Sequence, residues 1–162
     1  MEITYREMKD SDRNELLRLM YDFCEIYKNL DAQKININSQ ELAEWCLDDV
    51  LKEITKNNGK IIVAEIKQNP VGFIGFSIKA LEKEEILFHR HHLHGFIHDL
   101  YIDETYRNQK IGTKLLEFAE HYFKEHNCEF SRLSVFATNN KAHEFYKRNN
   151  YKDRNIDLIK KL

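Results

Sequence analysis

The 162-residue sequence predicts an α/β domain, a mixed β-sheet with helices on both faces. Three observations carry this reading. Two strand-like runs, Lys60–Lys67 (KIIVAEIK) and Val71–Ala80 (VGFIGFSIKA), are separated by a short turn and read as a hairpin. Segments with apolar residues at helical spacing precede and follow the hairpin. The elements run strand, two helices, three strands, helix, strand, helix, strand, and a sheet covered on both sides buries that order most economically. No repeat, low-complexity linker or composition break divides the chain, so residues 1–162 are expected to form one domain with a sizeable core.

Taken in order, Ile3–Arg6 is a short strand. Asp10, Ser11 and Asp12 supply N-cap oxygens to a helix with Leu16, Leu17, Met20, Phe23 and Tyr27 on one face. A second helix starts near Asn38–Ser39, with Glu41 as the capping-box partner of Asn38. It carries Leu42, Trp45, Cys46, Val50 and Ile54 inward until Asn57-Asn58-Gly59 stops it. The hairpin turn is Gln68-Asn69-Pro70, where the fixed φ of the chain's only proline helps and its missing N–H costs no ladder bond. A charged stretch, Glu82–His94, leads to a strand at Phe96–Asp103 (FIHDLYID). Gly112–Asn127 is an amphipathic helix that buries Leu115, Leu116, Phe118, Ala119, Tyr122 and Phe123. Arg132–Ala137 is a strand, Asn140–Asn149 a helix, and Tyr151–Leu162 a closing strand pair.

Composition excludes several classes. A hydrophobic fraction of 42% and a charged fraction of 32% are those of a soluble globular protein. A net charge of −2 leaves no footprint for nucleic acid or an anionic membrane, and its slight acidic excess suits a cationic amine without deciding for one. No apolar run approaches the ~18 residues of a membrane span. Met1-Glu2-Ile3-Thr4 lacks the layout of a signal peptide. Cys24, Cys46 and Cys128 are far apart and form no CxxC pair, which fits reduced thiols in a cytoplasmic protein. His89-Arg90-His91-His92-Leu93-His94 has spacings that can ligate zinc or nickel. No Cys or carboxylate partner stands at fixed distance, however, so it reads as a solvated loop and no metal is expected. Glu82, Glu84 and Glu85 read as a solvated face.

The most informative segment is Asp103–Leu116 (DETYRNQKIGTKLL). A strand ends, a turn passes through Arg107–Ile111, and a helix opens at Gly112. Unpaired N–H groups of the turn and the positive end of the helix dipole together suit a pyrophosphate, and a small residue at Gly112 allows close approach. A helix N-terminus by itself binds nothing in most proteins.

Arg107-Asn108-Gln109-Lys110-Ile111-Gly112 resembles the acetyl-CoA motif of the GNAT acetyltransferases, (Arg/Gln)-x-x-Gly-x-(Gly/Ala). Leu100-Tyr101-Ile102 precede it, and Leu115-Leu116 follow, as in that family. A second match, Asn139–Tyr151 (NNKAHEFYKRNNY), is similar to N-x-x-A-x-x-(F/L)-Y-x-x-x-G-F, with Asn139, Ala142, Phe145 and Tyr146 in register. The resemblance covers nearly the whole chain and is most specific over Phe96–Tyr151. It implies a mostly antiparallel central sheet and one acetyltransferase domain. Lys110 stands where the motif has its first glycine, Asn150 replaces the glycine after the later helix, and Tyr151 replaces Phe. Lys110 either strains a left-handed backbone or adds its ammonium to the phosphates; the reading favours contact.

The resemblance implies acetyl transfer from acetyl-CoA directly to a primary amine of a small molecule, peptide or protein. It places the thioester beside Leu100, Tyr101 and Ile102, on a strand whose splayed backbone offers an N–H to the oxyanion. The pyrophosphate falls to Gln109, Lys110, Ile111, Gly112 and Thr113, with Arg107 and Asn108 beside it. Tyr146 becomes the general acid for the departing thiolate, a role that its ordinary pKa near 10 suits. A packed aromatic on an amphipathic helix is the bland alternative. Strand alternation puts Ile97, Asp99 and Tyr101 on one face and His98, Leu100 and Ile102 on the other. Asp99 is the candidate base acting through water, or the anchor of a cationic amine, or else a surface carboxylate. A catalytically inactive CoA-binding regulatory module of the same fold is the competing reading, and monomer and homodimer both stay open.

Overall fold

The computed structural model describes residues 2–81, 83–87, 89–90 and 92–161. Among the described residues five strands form one sheet in chain order, β1 (Thr4–Glu7), β2 (Lys60–Ile66), β3 (Asn69–Ala80), β4 (Leu93–Ile102) and β5 (Phe130–Arg132). β1 to β4 pair antiparallel, and β5 joins β4 in parallel. Helices α1 (Arg13–Leu30) and α2 (Gln40–Lys56) cover one face. Helix α4 (Ile111–Glu125) covers the other, with α5 (Asn140–Arg148) beside it. A four-residue helix, α3 (Lys83–Ile86), lies in the charged stretch. Glu82, His91 and Leu162 of the expected segments fall outside the described residues, as does the side chain of Glu84.

Two apolar clusters sandwich the sheet. Leu16, Leu19, Met20, Leu47 and Val50 pack against Val63, Phe73 and Tyr101 on one side. Leu115, Leu116, Ala119 and Phe123 pack against Ile62, Ile74, Phe76 and Ile97 on the other. Burial of the Leu, Ile, Val, Met and Phe side chains among these stabilises each by about 1.5–3 kcal/mol relative to exposure, so helix spacing and strand alternation cooperate to set the layers. At one end Arg6 ties the sheet to α1, because its guanidinium bonds the buried Asp12 at 2.7 and 2.9 Å and Glu65 at 2.8 Å. The α1–α2 loop is fixed by Asp31, whose carboxylate accepts the N–H groups of Gln33, Ile35 and Asn36 at 3.0, 2.7 and 2.8 Å.

Several expected boundaries change. The β2–β3 turn is Lys67-Gln68, both left-handed with φ of 51° and 66°, and Pro70 lies in β3 where the register slips between Ala64 and Glu65. β4 begins at Leu93 rather than Phe96, because β3 runs far enough to pair Ala80 with Leu93. The strand expected at Arg132–Ala137 is reduced to Phe130–Arg132, and residues 151–161 form no strand pair. β5 parts from β4 after Phe96, leaving residues beyond Arg132 no ladder to join. Asp153 is held by Lys147 at 2.7 Å and His143 at 2.6 Å, which draws the tail along α5. Ser39, not Asn38, caps α2, accepting the Leu42 N–H at 3.0 Å. Trp45 is 62% exposed, because the buried stripe of α2 runs through Ala43, Leu47 and Val50. Phe118 lies at the margin of α4, 37% exposed against Tyr5. Cys24 and Cys46, 22 residues apart, come together at 3.9 Å between α1 and α2.

Helix α2 approaches the sheet closely at one glycine. A Cβ on Gly75 would stand 2.9 Å from Val50 Cγ1, inside van der Waals contact. Gly75→Val is expected to lower stability by about 1–3 kcal/mol through overpacking. Thermal denaturation of the two proteins would test this, and an unchanged midpoint would show that α2 can retreat freely.

Candidate active site

The site is built by an irregularity in β4. Asp99 pairs with Gly75 of β3 and Ile97 with Phe76, so His98 is one residue too many on β4. Such a bulge re-aims the side chains beside it. Ile97 joins Leu100 and Ile102 in the α4-side cluster. Tyr101 points into the α1–α2 cluster. Asp99 stands opposite Gly75, beneath α2, and His98 Nε2 lies 2.8 Å from Ser77 Oγ on that same face. The simple alternation is therefore corrected: Ile97 and His98 exchange sides, and two adjacent polar residues face the helical pair.

Past Phe96 the ladder between β4 and β5 ends. A cleft opens there, walled by Ile97–Leu100 of β4, Leu133–Val135, Phe23 and Tyr27 of α1, and Asn139, Ala142 and Tyr146 around α5. Asp99 and Tyr146 thus line the same cavity from different elements. Asp99 is mostly buried and makes no hydrogen bond among the described residues. Burial, reinforced by the charge of Asp49, pushes its carboxyl up to about 7. Burial pushes Tyr27 up to about 12, with Asp99 adding to the effect. It holds His98 down at about 4, hence neutral near pH 7. Tyr146 is likewise raised, first by burial and then by Tyr27. Its ring packs against Phe145 and Tyr151, yet its hydroxyl has no hydrogen-bond partner among the described residues. The Tyr151 hydroxyl, in contrast, is bonded to Ser131 Oγ at 2.6 Å.

The turn after β4 is held from inside. Asp103 accepts the Thr105 N–H at 3.1 Å, and Arg107 folds back so that its Nε donates to the Ile102 carbonyl at 3.0 Å. The Arg107 guanidinium also lies over the Tyr101 ring. Asn108, Gln109 and Lys110 are exposed, with φ of 64° at Asn108 and 62° at Lys110. The left-handed backbone that favours glycine is thus present at Lys110. Helix α4 follows with no side-chain cap on its first turn, so the N–H groups of Ile111, Gly112 and Thr113 point to where an anion is favoured. Gly112 is small for packing as well. A Cβ there would meet Ile102 Cδ1 at 3.0 Å and Phe145 Cζ at 3.3 Å. Phe145 therefore leans α5 on the start of α4, while Asn139 caps α5 by accepting the Ala142 N–H at 3.1 Å. Tyr101 is buried in the α1–α2 cluster, Leu100 and Ile102 are partly buried in the α4-side cluster, and the ladder to β3 runs through all three.

Sequence reasoning missed His98, Tyr27 and Asp49 as neighbours of Asp99. A signal existed for the first: two adjacent polar residues in the apolar run FIHDLYID can share a face only if the strand bulges. Tyr27 and Asp49 come from helices, and their convergence is a tertiary fact. Of the histidine run, His94 is buried, with Nε2 3.4 Å from Arg132. Among the described residues no group of three or more His, Cys, Asp or Glu is placed to hold a metal ion. No helix among them is long and apolar enough to cross a membrane.

A sheet that parts beside an uncapped strand-to-helix turn is the setting of a known class. The acetyltransferase (GNAT) family model matches residues 17–151, and the chain belongs to that family. Over 147 residues it is 28% identical to an uncharacterized N-acetyltransferase of Archaeoglobus fulgidus, covering 86% of this chain and 88% of that protein. Over 156 residues it is 26% identical to an uncharacterized N-acetyltransferase of Methanocaldococcus jannaschii, covering 94% of this chain but 62% of the relative. A mutant protein from Bacillus halodurans superposes with a TM-score of 0.83 at 18% identity, covering 98% and 99% of the two chains, which shows a shared fold.

The Asp99 carboxyl has a stability consequence. Its folded pKa of about 7 exceeds the ordinary value of 3.8, so the fold holds this proton more tightly than the unfolded chain does. Stability attributable to Asp99 therefore falls as pH rises from about 4 to about 7 and stays reduced above that. Asp99→Asn is expected to raise the melting temperature relative to wild type, more at pH 8 than at pH 5. An equal difference at both pH values would refute the assignment.

Proposed function

We propose that this chain transfers an acetyl group from acetyl-CoA directly to a primary amine of a small molecule, peptide or protein, in the cytoplasm. One observation carries the reading: Asp99 and Tyr146 line one cleft where β4 and β5 part, on the strand that ends in the uncapped turn before α4. Acetyl-CoA, when bound, supplies the activated acyl group and the leaving thiolate. The residues fit it. The N–H groups of Gln109–Thr113 would hold the pyrophosphate, with Arg107 and Asn108 shaping the turn. Asn139, Ala142 and Phe145 would flank the thioester arm opposite Leu100, Tyr101 and Ile102.

The protein then has three tasks. Asp99, ionised above about pH 7, accepts a proton from the entering ammonium, directly or through water. A backbone N–H of β4, free of β5 beyond Phe96, meets the negative charge that develops on the carbonyl oxygen. Tyr146, protonated throughout the working pH range, gives its hydroxyl proton to the departing sulfur. A catalytically inactive CoA-binding module of the same fold is the second reading. The unpartnered Tyr146 hydroxyl and a carboxyl near 7 favour the enzyme, since neither is required for binding alone.

The test is thiol release from acetyl-CoA over a panel of amines, beside calorimetric titration with acetyl-CoA. Binding without turnover on any amine would favour the module. Tyr146→Phe is expected to lower kcat by roughly 10²–10⁴ while acetyl-CoA affinity stays within a few-fold. Full activity in that variant would return Tyr146 to a packing role. The φ of 62° at exposed Lys110 supports strain over phosphate contact. Lys110→Gly is accordingly expected to raise the melting temperature, as relief of about 1 kcal/mol of left-handed strain would do, and to tighten acetyl-CoA binding by opening space at the turn. Weaker binding with a smaller salt dependence would restore the contact reading.

A further inference from the structure

The two helices over one face of the sheet carry a thiol each, and the fold brings the two together. Cys24 of α1 and Cys46 of α2 are 22 residues apart in sequence, and their Sγ atoms stand 3.9 Å apart. They differ in exposure: Cys24 is buried, whereas Cys46 is partly exposed. Ala43, one turn before Cys46 on α2, is fully buried in the same cluster as Cys24 and is small enough to let the helices lie close there. Polar ties also hold the seam. Asn38 Nδ2 donates to the Tyr21 carbonyl at 3.2 Å and to Glu25 at 2.9 Å, and Arg13 reaches Asp48 at 2.7 Å. The two sulfurs are thus fixed neighbours. In their contact the Cys24 S–H donates to Cys46 Sγ. That bond holds the Cys46 thiol below its ordinary pKa and pushes Cys24 above it. The third thiol, Cys128, packs against the α4-side cluster on the other face of the sheet.

An accessible thiol with a buried thiol in reach is the arrangement of an attacking and a resolving cysteine. We infer that Cys24 and Cys46 are a reversible disulfide site whose co-reactant is a small soluble disulfide. The Cys46 thiolate, its proton lost to water, attacks one sulfur of that molecule and expels the other half, which takes up a proton and leaves as a thiol. Cys24 then loses its proton and attacks Cys46 Sγ, expelling the second half as a thiol. The pair is oxidised by two electrons, and the small disulfide is reduced to two thiols. Closing the 3.9 Å gap to a bond of about 2.05 Å asks a shift of about 2 Å, within what a change of χ1 supplies. Cys24 also lies on α1 between Phe23 and Tyr27, two walls of the cleft. Taking the cleft to acetylate amines, as proposed above, the cross-link resets the wall that faces the acceptor. The turn before α4, across the sheet, is left as it was.

The experiment incubates the full chain with oxidised glutathione, then counts free thiols and measures the intact mass. Wild type is expected to pass from three free thiols to one, to lose the mass of two hydrogens, and to recover all three with dithiothreitol. Cys24→Ser is expected to stop at a mixed disulfide on Cys46, because the resolving thiol is absent. Cys46→Ser is expected to leave Cys24 unmodified, because that thiol is buried. Three free thiols in wild type, a lasting glutathione adduct on Cys46 in wild type, or a disulfide that includes Cys128 would each overturn the inference. If a serine variant fails to fold, the wild-type measurement decides alone. In the oxidised protein kcat/KM for amines is expected to fall by about tenfold or more, with acetyl-CoA affinity unchanged. Equal kcat/KM in the two forms would overturn the link to the cleft. If neither form turns over any amine, it is the acetyltransferase reading that fails, and the thiol count and the mass still decide the disulfide.

Discussion

One extra residue in a strand governs this molecule. If β4 paired with β3 without interruption, Asp99 and His98 would fall on opposite faces of the sheet. The slip between Gly75 and Phe76 sends both toward α1 and α2 and returns Leu100 and Ile102 to the α4 core. The same strand loses β5 just before the bulge. A sheet is rigid because its backbone groups are paired, so the place where pairing stops is where a cleft can form without cutting the core. Gly75 completes the arrangement by letting α2 settle close enough for its charges to matter.

The electrostatics of the cleft follow from that geometry. A carboxylate drawn away from water and set near another negative charge holds its proton far above the usual carboxylate range. The fold carries this group at a loss of stability that no internal hydrogen bond offsets. Such conflicts between local chemistry and stability collect at functional sites, because function is what maintains them. The contrast with Arg6, Asp12 and Glu65 is instructive. There a mostly buried carboxylate is matched by a guanidinium, its pKa is lowered, and the cluster only braces the sheet against α1.

The layered fold was largely legible from sequence, because hydrophobic spacing records burial directly. Leu115, Leu116 and Ala119 face the sheet as their helical spacing requires, and the hairpin lies where its two apolar runs put it. The turn between β4 and α4 was legible because its features are local: a strand end, polar turn residues, then a helix start. Asn150, at φ 67°, takes the left-handed position expected of a glycine substitute. Features that depend on pairing partners were not legible. The tail from Tyr151 carries enough apolar residues to resemble a strand, but no neighbouring edge receives it, and its charges find α5 instead. Trp45 has the spacing of a buried residue yet lies outside the stripe that meets the sheet.

The contact between Gly112 and the ring of Phe145 has a bearing on how this protein can change over time. That ring sits beside Tyr146 on α5 and rests on the first turn of α4, so two motifs distant in sequence share one packing joint. A larger residue at 112 would press on the first turn of α4 and on the ring next to the tyrosine at once. A side chain at 112 would push on the ends of Ile102 and Phe145, so change at either position is felt at the other. The two motifs are in this sense one mechanical unit, coupled through a ring rather than through the sheet.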